Sequence, residues 1–411
     1  MSILYSPVFE PNSAKRPVEF TVLAVSGFEI LRATGKLYIN GILASITPLT
    51  KSPDANLSVG LFYYFKFDFQ QLIADVLAPN PEEGLTETFG DGVLDVPFNA
   101  FAGGLNCEIY AEFEYFYRDA TTNQITSLGI TDTSSTFYVI AATRQHKQEM
   151  NFVLYLPDFN TDNSWLSDAP LQQDICEDEN LYLSYIANNA AQDIKITSYN
   201  SSDVVIDSGK FAAALSSSYE VRTVGVGMAN LRTQVYDSGA VDIDNVNLAY
   251  YTVELVGLFD TPYLVTRQFN KTGCCNRGIR LHFLNNYAAA DAFTFDSKVS
   301  KGIANKSSKA IKPLDWNGSS ETPHSITDKG SFKIQNEASD NYNLQSRYLL
   351  AADADWLKQL LYSPEVYIET TQGFVPVIVE DVEQQTSTSE LPAVAFEIKV
   401  TEANAIITLN N

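Results

Sequence analysis

The chain has 411 residues, too many for one ordinary core, and typical domain sizes divide it into roughly two to four units. Hydrophobic residues at 45% and charged residues at 19% exclude a disordered protein, and 22 Tyr with 24 Phe favour strands, because flat rings pack well on a pleated surface. With 50 acidic against 27 basic residues, a formal charge of -23, the surface repels a phosphate backbone and argues against nucleic acid as a partner; the acidity keeps copies apart before assembly or faces outward on a large particle.

In chain order, the text is β from Pro17 to about Gln145. Val18 to Val25 and Gly35 to Gly41 open it, and Asn40-Gly41 signals a tight turn because both residues tolerate positive φ. After the strand Phe62 to Phe67 the period changes: Phe69, Leu72, Ile73, Val76 and Leu77 fall on one helical face, with Asp68 as N-cap. A Pro/Gly/Glu-rich loop leads to the aromatic run Tyr110-Ala-Glu-Phe-Glu-Tyr-Phe-Tyr117, sticky on both faces and of little use to a monomer. Ser135 to Ala141 closes this unit, and Arg144-Gln-His-Lys-Gln-Glu149 marks a boundary.

A second unit, 149–295, carries strands at Phe152–Leu156, Leu181–Ile186, Ile194–Tyr199, Tyr219–Val226, Tyr250–Gly257 and Arg280–Leu284, punctuated as in a β-sandwich. From Asp296 to Asp328 the hydrophobic rhythm stops, and Lys298, Lys301, Lys306, Lys309 and Lys312 occur with no acid until Asp315. Such a stretch reads as a surface loop or as an arm reaching an acidic neighbouring subunit. The last unit, 331–411, holds strands and a helix from about Asp355, capped by that residue and stopped by Pro364. The fold class expected is mainly β: tandem immunoglobulin/fibronectin-like or jelly-roll-like sandwiches with a few short helices.

Residues for chemistry are sparse. Three histidines, His146, His282 and His324, lie in no catalytic or zinc-binding context, and His282 alternates with apolar neighbours as a sheet-face residue does. Cys107, Cys176, Cys274 and Cys275 form no Cys-x-x-Cys pair and read as free thiols of a reducing cytosol. Gly225-Val-Gly227-Met-Ala-Asn230 lacks the third glycine of a phosphate loop, and Asp242-Ile-Asp244-Asn-Val-Asn247 lacks the glycine and terminal Glu of a calcium loop. The expectation is a building block rather than an enzyme, with no cofactor and no metal. No run approaches the roughly 20 apolar residues of a membrane helix, and the N-terminus has no leader pattern, so no membrane insertion is expected.

Three stretches carry a resemblance. Lys36-Leu-Tyr-Ile-Asn-Gly-Ile-Leu43, followed by Ser52-Pro-Asp54 and Phe67-Asp-Phe-Gln-Gln-Leu-Ile-Ala-Asp-Val-Leu77, is the first. The second is Arg280-Leu-His-Phe-Leu-Asn-Asn-Tyr-Ala-Ala-Ala-Asp-Ala-Phe-Thr-Phe295, with Ala288 to Ala290 where a Gly pair is often found; the third is Trp356-Leu-Lys-Gln-Leu-Leu-Tyr-Ser-Pro-Glu-Val-Tyr-Ile-Glu369. In this order they resemble structural proteins of tailed phages of Bacteroidota hosts, including relatives of the crAss-like phages.

The resemblance implies a virion part in the tail, neck or baseplate, assembled in the host cytoplasm, with no catalytic residue to carry over. Its partners would be copies of itself and other tail or neck proteins. The residues expected to meet a neighbour are Tyr110, Phe113, Tyr115, Phe116 and Tyr117 of the aromatic run and the five lysines of the arm. The second reading is a receptor- or glycan-binding module stacking sugars on Trp165, Trp316 or Trp356, of which Trp356 sits on an apolar helix; the third is a polysaccharide hydrolase, for which no motif speaks.

Overall fold

The computed structural model describes residues 2–5, 12–13, 19–25, 30–50, 62–69, 72–73, 106–119, 121–134, 136–140, 165–187, 193–212, 220–234, 236, 238–257, 260, 262, 264–273, 278–287, 289–311, 331–370, 373–386, 393–403 and 406–409. The chain is mainly β, with several sheets and a few short helices. Residues 1–272 and 284–291 form one compact unit, and 273–283 with 292–411 form another. The boundary expected near residue 148 lies outside the described residues.

The first unit opens with β1 (Ser2–Tyr5), β2 (Asn12–Ser13), β3 (Glu19–Val25), β4 (Ile30–Ile39), β5 (Ile42–Thr50), β6 (Phe62–Asp68), β7 (Asn106–Arg118), β8 (Ile125–Thr133) and β9 (Phe137–Ile140). β1, β3 and β6 make one sheet; β2, β9, β7, β4 and β5 follow in that order in the other, with β8 also on β7. The two sheets share a core in which Phe20, Phe65 and Phe67 meet Leu37, Phe113 and Tyr115. Each such ring contributes roughly 1.5–3 kcal/mol by leaving water. Gly35 is required here, because a Cβ would lie 2.8 Å from the Phe67 ring. The expected tight turn is present, with φ of 49° at Asn40 and 76° at Gly41. Of the expected helix, Leu72 and Ile73 are described, and the Ile73 amide donates to the Phe69 carbonyl at 3.1 Å.

The unit continues with β10 (Gln172–Cys176), β11 (Tyr182–Ala187), β12 (Asp193–Tyr199), β13 (Val205–Ala212), β14 (Glu220–Gly225), α1 (Met228–Thr233), β15 (Ser238–Ala240), β16 (Tyr250–Val256) and β17 (Arg267–Thr272). A six-stranded sheet runs β10-β17-β16-β12-β13-β15, and β11 pairs β14. Ile194, Ile196, Tyr251, Val253 and Phe269 bury one face of the large sheet. Gly225 and Gly227 serve packing: a Cβ on Gly227 would lie 2.4 Å from the Leu181 amide nitrogen, and Asn230 Oδ1 accepts from the Gly227 and Leu181 amides.

One expectation fails at β10. Cys176 is disulfide-bonded, not a free thiol. Parallel pairing sets it opposite Thr272, at the end of β17.

The second unit contains β18 (Ile279–Leu284), β19 (Ala290–Phe295), β20 (Lys298–Ile311), β21 (Ser331–Gln345), β22 (Leu349–Leu350), α2 (Ala351–Leu357), α3 (Gln359–Tyr362), β23 (Val366–Thr370), β24 (Gly373–Thr386), β25 (Ala393–Glu402) and β26 (Ile406–Leu409). Its sheet runs β19-β18-β23-β24-β25-β21-β20, with β22 on β25 and β26 on β21. β18, read from sequence as Arg280–Leu284 of the 149–295 unit, is a strand of this sheet. The helix begins at Ala351, not near Asp355: Ala-rich 351–354 extends it, and Asp355 pairs with Lys358 inside it instead of capping. His282 is fully buried on its sheet face, with Nε2 2.7 Å from Glu369 Oε2.

Residues 284–291 belong to the first unit and hold part of the second resemblance stretch. Asn285 Oδ1 accepts from the Tyr287 and Ala289 amides, and its Nδ2 donates to the Leu166 carbonyl at 2.8 Å and to Asp291 Oδ2 at 3.0 Å. Ser167 Oγ donates to the other Asp291 oxygen at 2.6 Å. The Arg267 guanidinium donates to the carbonyls of Ser167, Ala169 and Pro170. The spacing of Asn285 and Asp291 thus supplies a buried polar clasp in which the carboxamide and carboxylate satisfy a tight turn that apolar residues could not.

Candidate subunit interface

Strand periodicity separates the aromatic residues of β7 into two sets. Ile109, Ala111, Phe113 and Tyr115 are buried in the first core, where Phe113 meets the rings of Phe20 at 5.5 Å and Phe67 at 5.1 Å. The Tyr115 hydroxyl donates to Asp132; burial and then this carboxylate push its pKa far up, so it stays neutral. Tyr117 packs against the rim of the same core. Phe113 and Tyr115 therefore have no side chain to offer a neighbour, which narrows the expected interface to the opposite face.

That face carries Tyr110 and Phe116, both half-buried. Cross-strand register puts Tyr110 beside Tyr38 and Tyr38 beside Leu43, and the next row reads Glu112, Lys36, Ile46. The rings of Tyr38 and Tyr110 stack at 4.6 Å, and the Tyr38 hydroxyl donates to Glu112. Arg32 lies 4.3 Å over the Phe116 ring, and Lys36 pairs with Glu114 at 3.5 Å. Aromatic rings, an arginine and internally neutralised charge form the composition that protein interfaces favour over open surface.

Among the described residues β5 bounds this face, pairing with β4 on one side and standing last in its sheet. From Ile39 to Thr50 no residue is charged, and Ile42 is 73% exposed, Ile46 55% and Leu43 44%. Edge strands that must stay alone carry charge, usually lysine. β5 has only Pro48 as a blunting device. Sequence reasoning missed this surface because Ile-Leu-Ala-Ser-Ile looks like any core strand until its described pairing, with β4 alone, is known.

The lysine segment is a strand. Residues 298–311, expected as an irregular loop or arm, pair with β21 along their whole length, with a bulge at Ser308/Lys309. The sequence hid this because Lys, Ser, Asn and Gly on both faces leave no alternation to read. Lys298, Lys301, Lys306 and Lys309 are exposed, and Lys312 lies outside the described residues. Lys301 pairs with Asp340 and lies 5.2 Å over the Tyr342 ring, and these two partners hold its pKa above the usual range. Lys306 is opposite Glu337. Among the described residues β20 ends its sheet, so its lysines sit where guarding an edge needs them.

Among the described residues, sites for other chemistry do not gather. Arg232 occupies the Asp242–Asn247 loop: its Nε donates to Asp244 Oδ1 at 2.9 Å, and its Nη1 to the Glu177 carbonyl at 2.5 Å. Among the described residues no three His, Cys, Asp or Glu could hold a metal ion, and no helix is long and apolar enough to cross a membrane. Trp165 is buried, its Nε1 donating to the Val265 carbonyl, and Trp356 packs between Phe283 and Phe293; neither presents a ring to a sugar. Trp316 lies outside the described residues.

No family model matches this chain, and no curated protein does. Among solved structures it is similar to a chain in the tail of an empty gene transfer agent particle computed with helical refinement in C6 symmetry, at 11% identity and a TM-score of 0.19, covering 34% of this chain and 99% of that one. It is also similar to a chain in the virion of a native gene transfer agent particle, at 11% identity and a TM-score of 0.18, covering 32% of this chain and 95% of that one. Scores at this level carry no argument for fold or role.

Proposed function

We propose that this chain is a structural protein of a tailed-phage virion, several copies of which build or connect the tail as a ring, collar or baseplate component. The observation that carries the reading is the uncharged, apolar edge of β5 beside the Tyr38, Tyr110 and Phe116 face. On a chain of net charge -23, copies repel one another through most of their surface, and the 12-residue neutral run from Ile39 to Thr50 is where a second copy can approach. Strand addition there would give main-chain hydrogen bonds to the open side of β5 and cover Leu43 and Ile46. The lysines of β20 add attraction to an acidic neighbour once copies are held close. The order of the three resemblance stretches points to phages of Bacteroidota hosts.

The test is the mass distribution of the purified chain across a concentration series. Wild type forms oligomers, and Leu43→Lys with Ile46→Lys, both exposed and so tolerated by the fold, keeps it monomeric. A wild type that stays monomeric at high concentration and is absent from purified virions contradicts the proposal.

A further inference from the structure

The ribbon of β20 and β21 outruns the sheet that supports it. From Asn341 to Gln345, β21 lies between β20 and β25. Before Asn341 its described partners are β20 throughout and β26 from Gln335 to Ala338. Side chains alternate between faces, so the face that buries Tyr342 and Leu344 carries Ile303, Asn305, Ser307 and Lys309 further along β20. All four are exposed, Ile303 at 72%. Lys306 and Ser308, on the other face, are exposed as well. A ribbon of two or three strands uncovered on both faces is marginal alone and gains by lying against another surface.

Charge selects that surface. Lys309 stands opposite Lys333 in the register, and like charges directly across a ladder destabilise it. Lys301 pairs with Asp340 and Lys306 stands opposite Glu337, whereas Lys309 has no ion-pair partner among the described residues. The opposite arrangement occurs on β24 and β25. Glu383, which is exposed, lies directly across from Glu397, and neither is in an ion pair among the described residues. Their row continues through Gln345 to Lys298, two strands and about 10 Å from Glu397. In the next row Lys399 stands opposite Asp381 and is held by Glu380, which also accepts from the Thr401 hydroxyl. Ile378, one row further on the same face, is 59% exposed. The strip is apolar at one end and acidic at the other.

The two like-charge pairs cannot relieve each other within one chain. Lys309 is eleven residues along β20 from Lys298, about 36 Å at strand rise, and alternation puts it on the opposite face from the glutamate row. Several exposed acids elsewhere already have cations: Asp178 and Asp244 share Arg232, Glu177 has Lys271, and Asp260 has Lys195 and Lys210. We propose that the β20–β21 ribbon docks on the β24–β25 strip of a second copy, with Lys309 between Glu383 and Glu397 and Ile303 on the side of Ile378. The proposal rests on the assembly reading and adds to it the surface that receives the ribbon. Ribbon and strip are different places on one chain, so the contact is head-to-tail, the kind that continues into a ring.

Sedimentation of the full chain across a concentration series, with charges swapped, tests the contact. Lys309→Glu, and separately Glu383→Lys with Glu397→Lys, should each raise the dissociation constant about tenfold, as attraction turns to repulsion at a partly screened contact. Neither should lower the melting temperature, because the first removes a lysine opposite Lys333 and the second exchanges one like-charge pair for another. General repulsion between acidic chains predicts the contrary for the second variant, which makes the chain less negative. All three changes in one chain should return the dissociation constant to within about threefold of wild type. Variants that assemble as wild type does, or a combined chain no better than its parts, overturn the contact and leave the β5 edge to account for assembly. A wild type that is monomeric at every concentration overturns both.

Discussion

Truncating Phe113 and Phe116, three residues apart on β7, separates the two faces of the aromatic strand energetically. Phe113 is fully buried and touches the rings of Phe20 and Phe67 across the sandwich. Phe113→Ala removes the transfer free energy of the ring and leaves a cavity between two sheets that cannot close independently, costing about 3–5 kcal/mol. Phe116 is half-buried, and its principal described contact is Arg32 at 4.3 Å, a cation–π pair of about 0.5–1 kcal/mol at such sites. Phe116→Ala should therefore cost about 1 kcal/mol, including its partial burial. Urea denaturation of the monomeric Leu43→Lys, Ile46→Lys background keeps assembly out of the comparison, and midpoint shifts at unchanged slope report stability alone. Equal losses, or a larger loss for Phe116→Ala, would refute the assignment of faces. For the proposed oligomer the order is expected to reverse: Phe116→Ala should lower oligomer mass although the fold survives.

Three further outcomes follow from the described contacts. Asn285→Ala strands the Tyr287 and Ala289 amides, each costing about 1–3 kcal/mol when buried and unsatisfied, so its melting temperature should fall well below that of a surface control such as Ser201→Ala. Thiol titration of the unfolded, unreduced chain should find at most two of the four cysteines reactive and all four after reduction, and Cys176→Ser should lower stability by about 2–4 kcal/mol; four reactive thiols before reduction contradict the disulfide. Arg232 holds Asp244, and Lys399 with Thr401 holds Glu380, below their ordinary carboxylate values of 3.8 and 4.5. A lowered native pKa stabilises fully above the unfolded value, and the stabilisation is lost as pH falls through the native one, so Asp244→Asn and Glu380→Gln should narrow the difference in melting temperature between pH 7 and pH 3.

The sequence carried the fold where one face of a strand is apolar or a turn has special chemistry. The aromatic run of β7 and the turn at Asn40-Gly41 are legible for those reasons, and so is the sheet-face position of His282. β20 was not, because a strand polar on both faces is held by its ladder with β21 and leaves no periodic trace. The helix start was misplaced by treating Asp355 as a cap, whereas the alanines before it extend the helix. Interface readings suffered most. Aromatic residues marked β7 as sticky but could not say that Phe113 and Tyr115 are consumed by the core. The apolar side of β5 and the pairing of Glu383 with Glu397 depend on which strands neighbour which, and that information lies in pairings between residues up to about a hundred positions apart.

Imaging virions that carry a tag on this chain tests the central claim most directly. Tag density is expected at one fixed level of the tail, repeated around its axis in every particle. Particles that lack the tag, while the tagged chain remains unassembled in the lysate, would contradict it.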